Sequence, residues 1–591
     1  MSATQIITSV VQMLCGLSFF LFGMNVMSGN LEKIAGGKLE GLLKKFTSNP
    51  IFGILFGAVI TIAVQSSSAV TVMLVGLVNS GIMHFSQTIF IIFGANIGTT
   101  LTAWILSLSG IESSSIGMMM LKPENFSPIL AFIGVIFVVF SKNSKRKSIG
   151  SVFVGFAVLM YGMEFMGAAM DPIKDIEGIE NVFIRFNNPL FGVLIGTVIT
   201  AVIQSSAASV GMLQALALTG LIDVGMVIPI IMGQNIGTCI TAVISAIGTN
   251  AKAKRVAFVH TILNVIGTVL FTSVFWIIDI IFNPALFREP ATAWSIALIH
   301  SIFNVALTVA LSPFAKQLIR LTEKCIRDND EAGKAKHIFV MDERLLNMPS
   351  VAVSECDNYS VKMADDAKQM LLSTFAILCD YDDKTAEWIA EQEEKLDTYE
   401  DDIGTYLVKV ASLSLSDEDS RKTGRMLHSI GNFERLGDHA LNLLETSKEI
   451  KDKKIVFSEA AYKELTVLTD ALIEIITITV DAYSSNDVTT ASRVEPLEQV
   501  IDKLTEKVRK RHIDRLKAGE CTIELGFILA DILNNIERIS DHCSNIAVAV
   551  IEAEADVFDP HRYLGEVKEG NEAFDAEYSQ YKEKYSLKKT S

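Results

Sequence analysis

The chain has 591 residues, half of them hydrophobic, with 51 Lys and Arg against 67 Asp and Glu for a formal net charge of −16. That length exceeds a single core, so two or three domains are expected. The charge is uneven: residues 1–320 hold 17 basic and 12 acidic side chains (net +5), leaving 34 and 55 (net −21) for residues 321–591, which excludes one uniform soluble globule and implies a membrane domain joined to an acidic soluble one.

No charge appears from Met1 to Leu31, from Phe46 to Ile111, or from Pro290 to Ala315, and Asp223 is the only one between Phe186 and Ala251. A span needs about 20 apolar residues, so several spans fit. The first segment is itself a span rather than a cleaved leader, because it lacks a basic start and its apolar run is too long.

Residues 49–105 align without a gap on residues 188–244 at an offset of 139, with 28 of 57 pairs identical. More weakly, Phe22-Gly23-Met24 lies over Tyr161-Gly162-Met163. Duplicated membrane halves of this kind are typical of transporters. Basic residues flank the two copies on opposite sides: Lys33, Lys38, Lys44 and Lys45 follow the first helix of copy one, whereas Lys142, Lys145, Arg146 and Lys147 precede that of copy two. By the positive-inside rule the copies are inverted. Lys252, Lys254, Arg255, Lys316 and Arg320 then also face the cytoplasm, and the soluble half is cytoplasmic. His260 and Asn264 recur forty residues later as His300 and Asn304, each pair on one helix face. Interhelical hydrogen bonding between packed spans is the reading for these pairs.

A polar connector at 321–350, with a turn at Asp328–Gly333, leads to six amphipathic helices near 357–380, 383–413, 417–450, 457–486, 489–518 and 523–554. Two antiparallel three-helix bundles fit them best. The domains are therefore a transmembrane domain at 1–320, with repeats at about 10–140 and 148–315, a helical domain at 351–555, and a polar, loosely ordered tail at 556–591. The seven cysteines, Cys15, Cys239, Cys325, Cys356, Cys379, Cys521 and Cys543, form no C-x-x-C pair, so reduced thiols are expected.

Each membrane copy carries a polar cluster within apolar sequence. Copy one has Gln65, Ser66, Ser67 and Ser68 with Thr71 nearby; copy two has Gln204, Ser205 and Ser206. A second cluster follows each, Gly94-Ala95-Asn96-Ile97-Gly98-Thr99-Thr100 and Gly233-Gln234-Asn235-Ile236-Gly237-Thr238-Cys239. Amide and hydroxyl oxygens suit Na+, and hydroxyls donate to oxyanions. The glycines permit an unwound turn at membrane depth, whose carbonyls bind cations and whose half-helix N-termini bind anions. Small residues also serve close helix packing, but two matched clusters in a duplicated domain favour a pseudo-symmetric site. With almost no Lys or Arg nearby, an anion here needs co-bound cations.

On these paired Gln-Ser-Ser motifs, residues 10–315 resemble the type II sodium–phosphate cotransporter family. The resemblance implies inorganic phosphate and Na+ bound between inverted repeats, alternating access, and Gln65, Ser66, Ser67, Ser68, Gln204, Ser205 and Ser206 as ligands, with Asn96, Thr99, Asn235 and Thr238 close by. Ala207 replaces the third serine in copy two, removing one hydroxyl.

The acidic half repeats N-x-E-R-x-x-D-H-x-x-N at Asn432–Asn442 and Asn535–Asn545. It places Glu434 with Asp438 and Glu537 with Asp541, while earlier helices carry Glu393 with Asp397 and Glu498 with Asp502. Paired carboxylates on adjacent helices can surround metal ions, and oxygen ligation with one His at most favours Fe, Mn or Mg. Residues 345–555 resemble the PhoU family of phosphate-response regulators, which implies metal clusters on these pairs and modulation of phosphate transport. The whole reads as an all-α protein, a polytopic helical membrane domain followed by a soluble double three-helix bundle. Expected partners are phosphate, Na+, the lipid membrane, and a second copy or a phosphate-signalling protein, with no nucleic acid. A membrane-anchored sensor that does not transport, and a carrier for another oxyanion such as arsenate, stay open. No nucleotide loop or nucleophile–base constellation suggests an enzyme.

Overall fold

A computed structural model describes residues 3–46, 49–110, 122–170, 188–327, 341–378, 380–555 and 572–587, and no β-strand occurs among them. The expected turn at Asp328–Gly333, Cys379, and the side chains of Lys38, Lys44 and Lys45 fall outside the described set. The chain divides into two compact units, Met1–Lys336 with Asp342–Val351, and His337–Met341 with Ala352–Ser591.

In the first unit, repeat one comprises α1 (Ala3–Phe46), α2 (Pro50–Val64), α3 (Ser67–Asn79) and α4 (Phe85–Ser107), followed by α5 (Pro123–Phe140). Repeat two comprises α6 (Ser144–Met170), α7 (Pro189–Ile203), α8 (Ser206–Ala217) and α9 (Val224–Ser245). Then come α10 (Ala251–Phe282), α11 (Ala293–Leu311) and α12 (Ala315–Cys325). Six stretches among the described residues are long and apolar enough to cross a membrane, in α1, α4, α6, α9, α10 and the α11–α12 region. Equivalent residues start equivalent helices. Asn49 and Asn188 cap α2 and α7, each accepting an N–H at 3.0 Å, with Pro50 and Pro189 at the first helical position. Asp223, the lone charge of its region, caps α9 by accepting from Met226 N at 2.8 Å.

Gly16 and Gly23 of α1 correspond to Gly155 and Gly162 of α6, yet their contacts are crossed. A methyl at Gly16 would lie 2.8 Å from the Gly162 carbonyl oxygen, and one at Gly23 would lie 2.5 Å from that of Gly155. As one number rises the other falls, so equivalent helices run antiparallel. A two-fold axis across the helices relates the repeats, which is what inversion in a membrane requires.

The second unit contains α13 (Pro349–Ile377), α14 (Asp383–Ala411), α15 (Asp417–Lys453), α16 (Glu459–Ser485), a short α17 (Val488–Ala491), α18 (Val494–Lys517), α19 (Ile523–Ala555) and α20 (Glu572–Lys584). One expected helix, 489–518, is split into α17 and α18, with Pro496 in the first turn of α18, where its missing N–H costs nothing. The tail also departs from expectation. In α20 and just beyond it, Tyr581, Tyr585 and Leu587 are buried, and Lys503 donates to the Tyr578 hydroxyl at 2.7 Å. Aromatic residues spaced along a polar helix give it a face to dock.

Candidate functional site

Both Gln-Ser motifs sit where a helix breaks. Gln65 (φ 56°, ψ 24°) ends α2 and Gln204 (φ 57°, ψ 22°) ends α7, each in the left-handed conformation that strains any residue with a Cβ. Ser66 and Ser205 are extended and cap the next helices, accepting Ala69 N at 3.1 Å and Ala208 N at 3.2 Å. Helix α4 packs parallel to α2, since its Gly94 faces Ile54 and its Gly98 faces Ala58. It also follows α3 by a short turn. The α2–α3 pair is therefore a re-entrant hairpin with Gln65 at its tip, and α7–α8 repeats it with Gln204.

The glycine clusters correct one expectation. No unwinding occurs at Gly94–Thr100 or Gly233–Cys239; α4 and α9 run through them. The glycines instead admit a neighbouring backbone: a methyl at Gly98 would lie 2.6 Å from the Ala58 carbonyl oxygen, and one at Gly237 2.5 Å from that of Thr197. The breaks fall at the Gln-Ser steps. Each half-helix then packs on the opposite repeat's motif helix, α3 on α9 and α8 on α4, which gathers both pairs of clusters around the two-fold axis.

The hydroxyls divide by where their protons go. Thr71, Thr99 and Thr238 donate to carbonyls four residues back, each at 2.9 Å, and Thr100 donates to Ile97 O at 2.7 Å. Their oxygens are left as acceptors, the form a cation uses. Ser66 and Ser205 accept from the backbone, and each hydroxyl keeps a proton that it can donate. Ser67 and Ser68 are buried at the first turn of α3, and Ser206 is half-buried at that of α8, where the helix dipole favours negative charge.

The repeats differ in side-chain detail. Gln65 is 8 % exposed, donates to Ile62 O at 2.7 Å and accepts from Thr102 at 2.9 Å. Gln204 is exposed. Asn96 donates to Asn264 Oδ1 at 3.3 Å, the interhelical bond expected of the His-Asn helices, whereas Asn235 turns back to Ile231 O at 3.1 Å. Thr102 joins the candidate site through its bond to Gln65 and was missed by sequence reasoning. It lay inside the aligned blocks, opposite Thr241, and could have been found by asking which threonines the repeats share.

In the second unit the motif asparagines and histidines lock α15 to α19. His439 Nδ1 meets Asn535 Oδ1 at 2.9 Å and His542 Nδ1 meets Asn432 Oδ1 at 2.9 Å, with the rings 5.5 Å apart. Burial, and then His439, push His542 down to about 4. These imidazoles belong to the interface between the repeats, and the acidic group whose oxygens converge most closely among the described residues consists of carboxylates.

The carboxylates do converge. Ligand oxygens of Glu498, Asp502 and Asp541 lie within 4.8 Å of one another. Asp502 is raised by burial and by Asp541 and Glu537, and Asp541 by burial, against Arg538. Glu537 lies 3.7 Å from Arg509. In the first bundle burial and Asp438 raise Glu434 to about 7, while burial, Asp397 and Asp438 raise Glu393. Arg435 flanks the cluster, 3.6 Å from Glu434 and 3.3 Å from Asp438. Mutually repelling, desolvated carboxylates are a donor set that a hard cation fits.

Comparison with known proteins agrees with this division. The Na+/Pi-cotransporter family matches residues 19–168 and 177–281, and the PhoU domain matches residues 361–447 and 465–550. Over 556 residues the chain is 24 % identical to YjbB of Salmonella typhimurium, named as a candidate inorganic phosphate export protein, covering 92 % of this chain and 98 % of that one. It is 30 % identical over 307 residues to the uncharacterized protein YqeW of Bacillus subtilis, covering 51 % of this chain and 94 % of YqeW. Over 99 residues it is 40 % identical to the sodium-dependent phosphate transport protein 2A of Mus musculus, covering 16 % and 15 % of the two chains. The chain is a membrane protein that belongs to the Na+/Pi-cotransporter family through its N-terminal region and carries a PhoU domain in its C-terminal region.

Proposed function

We propose that the chain transports inorganic phosphate across the membrane, coupled to Na+, by alternating access, under the control of a cytoplasmic PhoU domain. The observation that carries this reading is the pair of Gln-Ser helix breaks at equivalent positions of antiparallel repeats. Ser66, Ser205 and the half-helix N-termini supply donors for phosphate. Thr71, Thr99, Thr100 and Thr238 supply acceptors for Na+, with Gln65, Ser67, Ser68, Gln204, Ser206, Asn96 and Asn235 around them. Without an arginine or lysine in these clusters, phosphate charge is balanced by the co-bound cations, so neither ligand binds well alone.

In the PhoU domain Glu393, Asp397, Glu434, Asp438, Glu498, Asp502, Glu537 and Asp541 would hold Fe, Mn or Mg. The cation would neutralise carboxylates that otherwise repel, and so tie two helices of each bundle together. The full-length likeness to a protein named for phosphate export favours outward flux as the physiological direction.

The test is radiolabelled phosphate flux in proteoliposomes, with phosphate loaded on either side and Na+ compared with K+. Flux that needs Na+ and disappears in Gln65→Ala supports the reading. Absence of flux in both directions from folded protein would move the assignment to a membrane-anchored sensor.

A further inference from the structure

The two halves of the membrane unit share one architecture but not one set of hydrogen bonds. Helices α10 and α11 extend the symmetry. The first packs on α9 and reaches α3 and α4; the second packs on α4 and reaches α8 and α9, the same pattern with the repeats exchanged. Asn264 of α10 therefore corresponds to Asn304 of α11, and the Asn96–Asn264 bond corresponds to one between Asn235 and Asn304. Likewise Thr102 donating to Gln65 corresponds to Thr241 donating to Gln204.

In repeat one both bonds are made, at 2.9 Å for Thr102 to Gln65 and 3.3 Å for Asn96 to Asn264. In repeat two neither is. Gln204 is exposed, the Thr241 hydroxyl is buried with no partner, and Asn304 Oδ1 is unpartnered in a residue 0 % exposed. A buried acceptor or hydroxyl left unbonded is costly, and native structures rarely keep one without a use.

We infer that Thr102 with Asn264, and Thr241 with Asn304, are positioning residues that act through the motif glutamines and asparagines as two alternating latches. One latch is closed while the other is open. Because equivalent elements face opposite sides of the membrane, closing the second latch and opening the first reverses the side to which the site opens. The orphaned Thr241 hydroxyl and Asn304 carbonyl are the unmade half of the opposite state. This inference rests on the transport reading above and adds the residues that set the balance between its two states.

The two threonines then oppose each other. Thr102→Val removes a bond made in the present state. Thr241→Val removes an orphaned group from that state and a bond from the other. Each single variant biases the carrier to one side, and a carrier that must visit both sides slows. The experiment is Na+-dependent phosphate flux in proteoliposomes for Thr102→Val, Thr241→Val, the double variant, and Thr241→Ser. Each valine variant is expected to slow flux by about tenfold, as a hydrogen-bond-sized bias gives. Thr241→Ser is expected to restore the rate, and the double variant to transport faster than either single one. A double variant slowed by the product of the two effects, or a Thr241→Val protein with unchanged flux, would overturn the latches. Absence of flux in the unsubstituted protein would instead overturn the transport reading. If a valine variant is not monodisperse, Asn264→Leu, Asn304→Leu and their combination are judged by the same criterion.

Discussion

Gly23 of α1 and Gly155 of α6 touch backbone to backbone: a methyl on the first would sit 2.5 Å from the carbonyl oxygen of the second, and the reverse distance is 2.8 Å. This contact, repeated by Gly16 and Gly162, forms the axis on which the repeats are inverted. Any side chain there must separate two long helices. Gly23→Leu is expected to cost at least the 1–3 kcal/mol or so of core overpacking and to broaden the detergent size-exclusion profile. Gly29, with nothing near its missing methyl, is the control. Gly29→Ala should leave the profile unchanged and raise the melting temperature slightly, since alanine is favoured over glycine in a helix by about 1 kcal/mol. Equal behaviour of the two variants would show that the glycine contact does not organise the fold.

The division of hydroxyl protons predicts separable kinetics. Thr99 and Thr238 offer oxygen only, so Thr99→Val or Thr238→Val should raise the Na+ concentration for half-maximal flux and move the phosphate value less. Ser205 keeps a proton, so its loss should raise the phosphate value, by roughly tenfold for a hydrogen bond to a charged ligand. Ser205→Gly is the better variant than alanine, because glycine costs a helix cap only a few tenths of a kcal/mol. Parallel shifts of both constants in every variant would mean that the hydroxyls do not discriminate.

The architecture was legible in the sequence because it rests on periodic, repeated signals. The 139-residue offset gave the duplication, and the placement of Lys33 against Lys142 gave its inversion, which Gly16 and Gly162 express in the packing. The Gln-Ser clusters were found, but the position of the break was misjudged. Glycine signals both an unwound turn and a close helix approach, and only the packing of Gly98 on Ala58 separates the two. The asymmetry between Gln65 and Gln204 was not legible at all, since nearly identical residues report a symmetric fold and not the state it occupies. The pairing of His439 with Asn535 and of His542 with Asn432 was not legible either, because one residue along a helix turns a side chain by about 100° and so sends these imidazoles away from the carboxylates beside them in sequence.

Glu434 gives the acidic unit a pH dependence of defined sign. Its folded-state pKa, raised to about 7 by burial and Asp438, exceeds its ordinary value of 4.5, so the folded chain binds the proton more tightly. Stability should therefore decline as pH rises from about 4.5 to about 7 in chelator-treated protein, and Glu434→Gln should flatten that slope. Added Mn2+ should act oppositely, stabilising more as the carboxyl ionises. Thermal melts of the full chain across this range, with chelator or Mn2+, measure both. A slope unaltered by Glu434→Gln would place the titration elsewhere, and Mn2+ without effect at pH 8 would remove the case for a cation at these carboxylates.

The connector fastens the half-helix that begins at the site. Asp342, 2 % exposed, accepts from Asn79 Nδ2 at the end of α3 at 2.8 Å and pairs with Arg344 at 3.0 Å. Arg344 in turn donates to Ile247 O at 2.9 Å, and Leu345 is fully buried against Gly76 of α3. The same α3 carries Ser67 and Ser68 at its first turn, about 18 Å away along 13 residues of helix. Displacing residues 342–348 would therefore shift the serines as a rigid rod shifts its far end. Leu345→Ala leaves a cavity worth about 2–5 kcal/mol and should loosen this grip. If the connector conveys the state of the C-terminal unit to α3, Leu345→Ala and removal of residues 352–591 will change phosphate flux in the same direction and by similar factors. Their combination will then do no more than either alone, because both interrupt one line of transmission. Multiplying effects would make the connector a fastening only, and control by the PhoU domain would have to reach the site by another route.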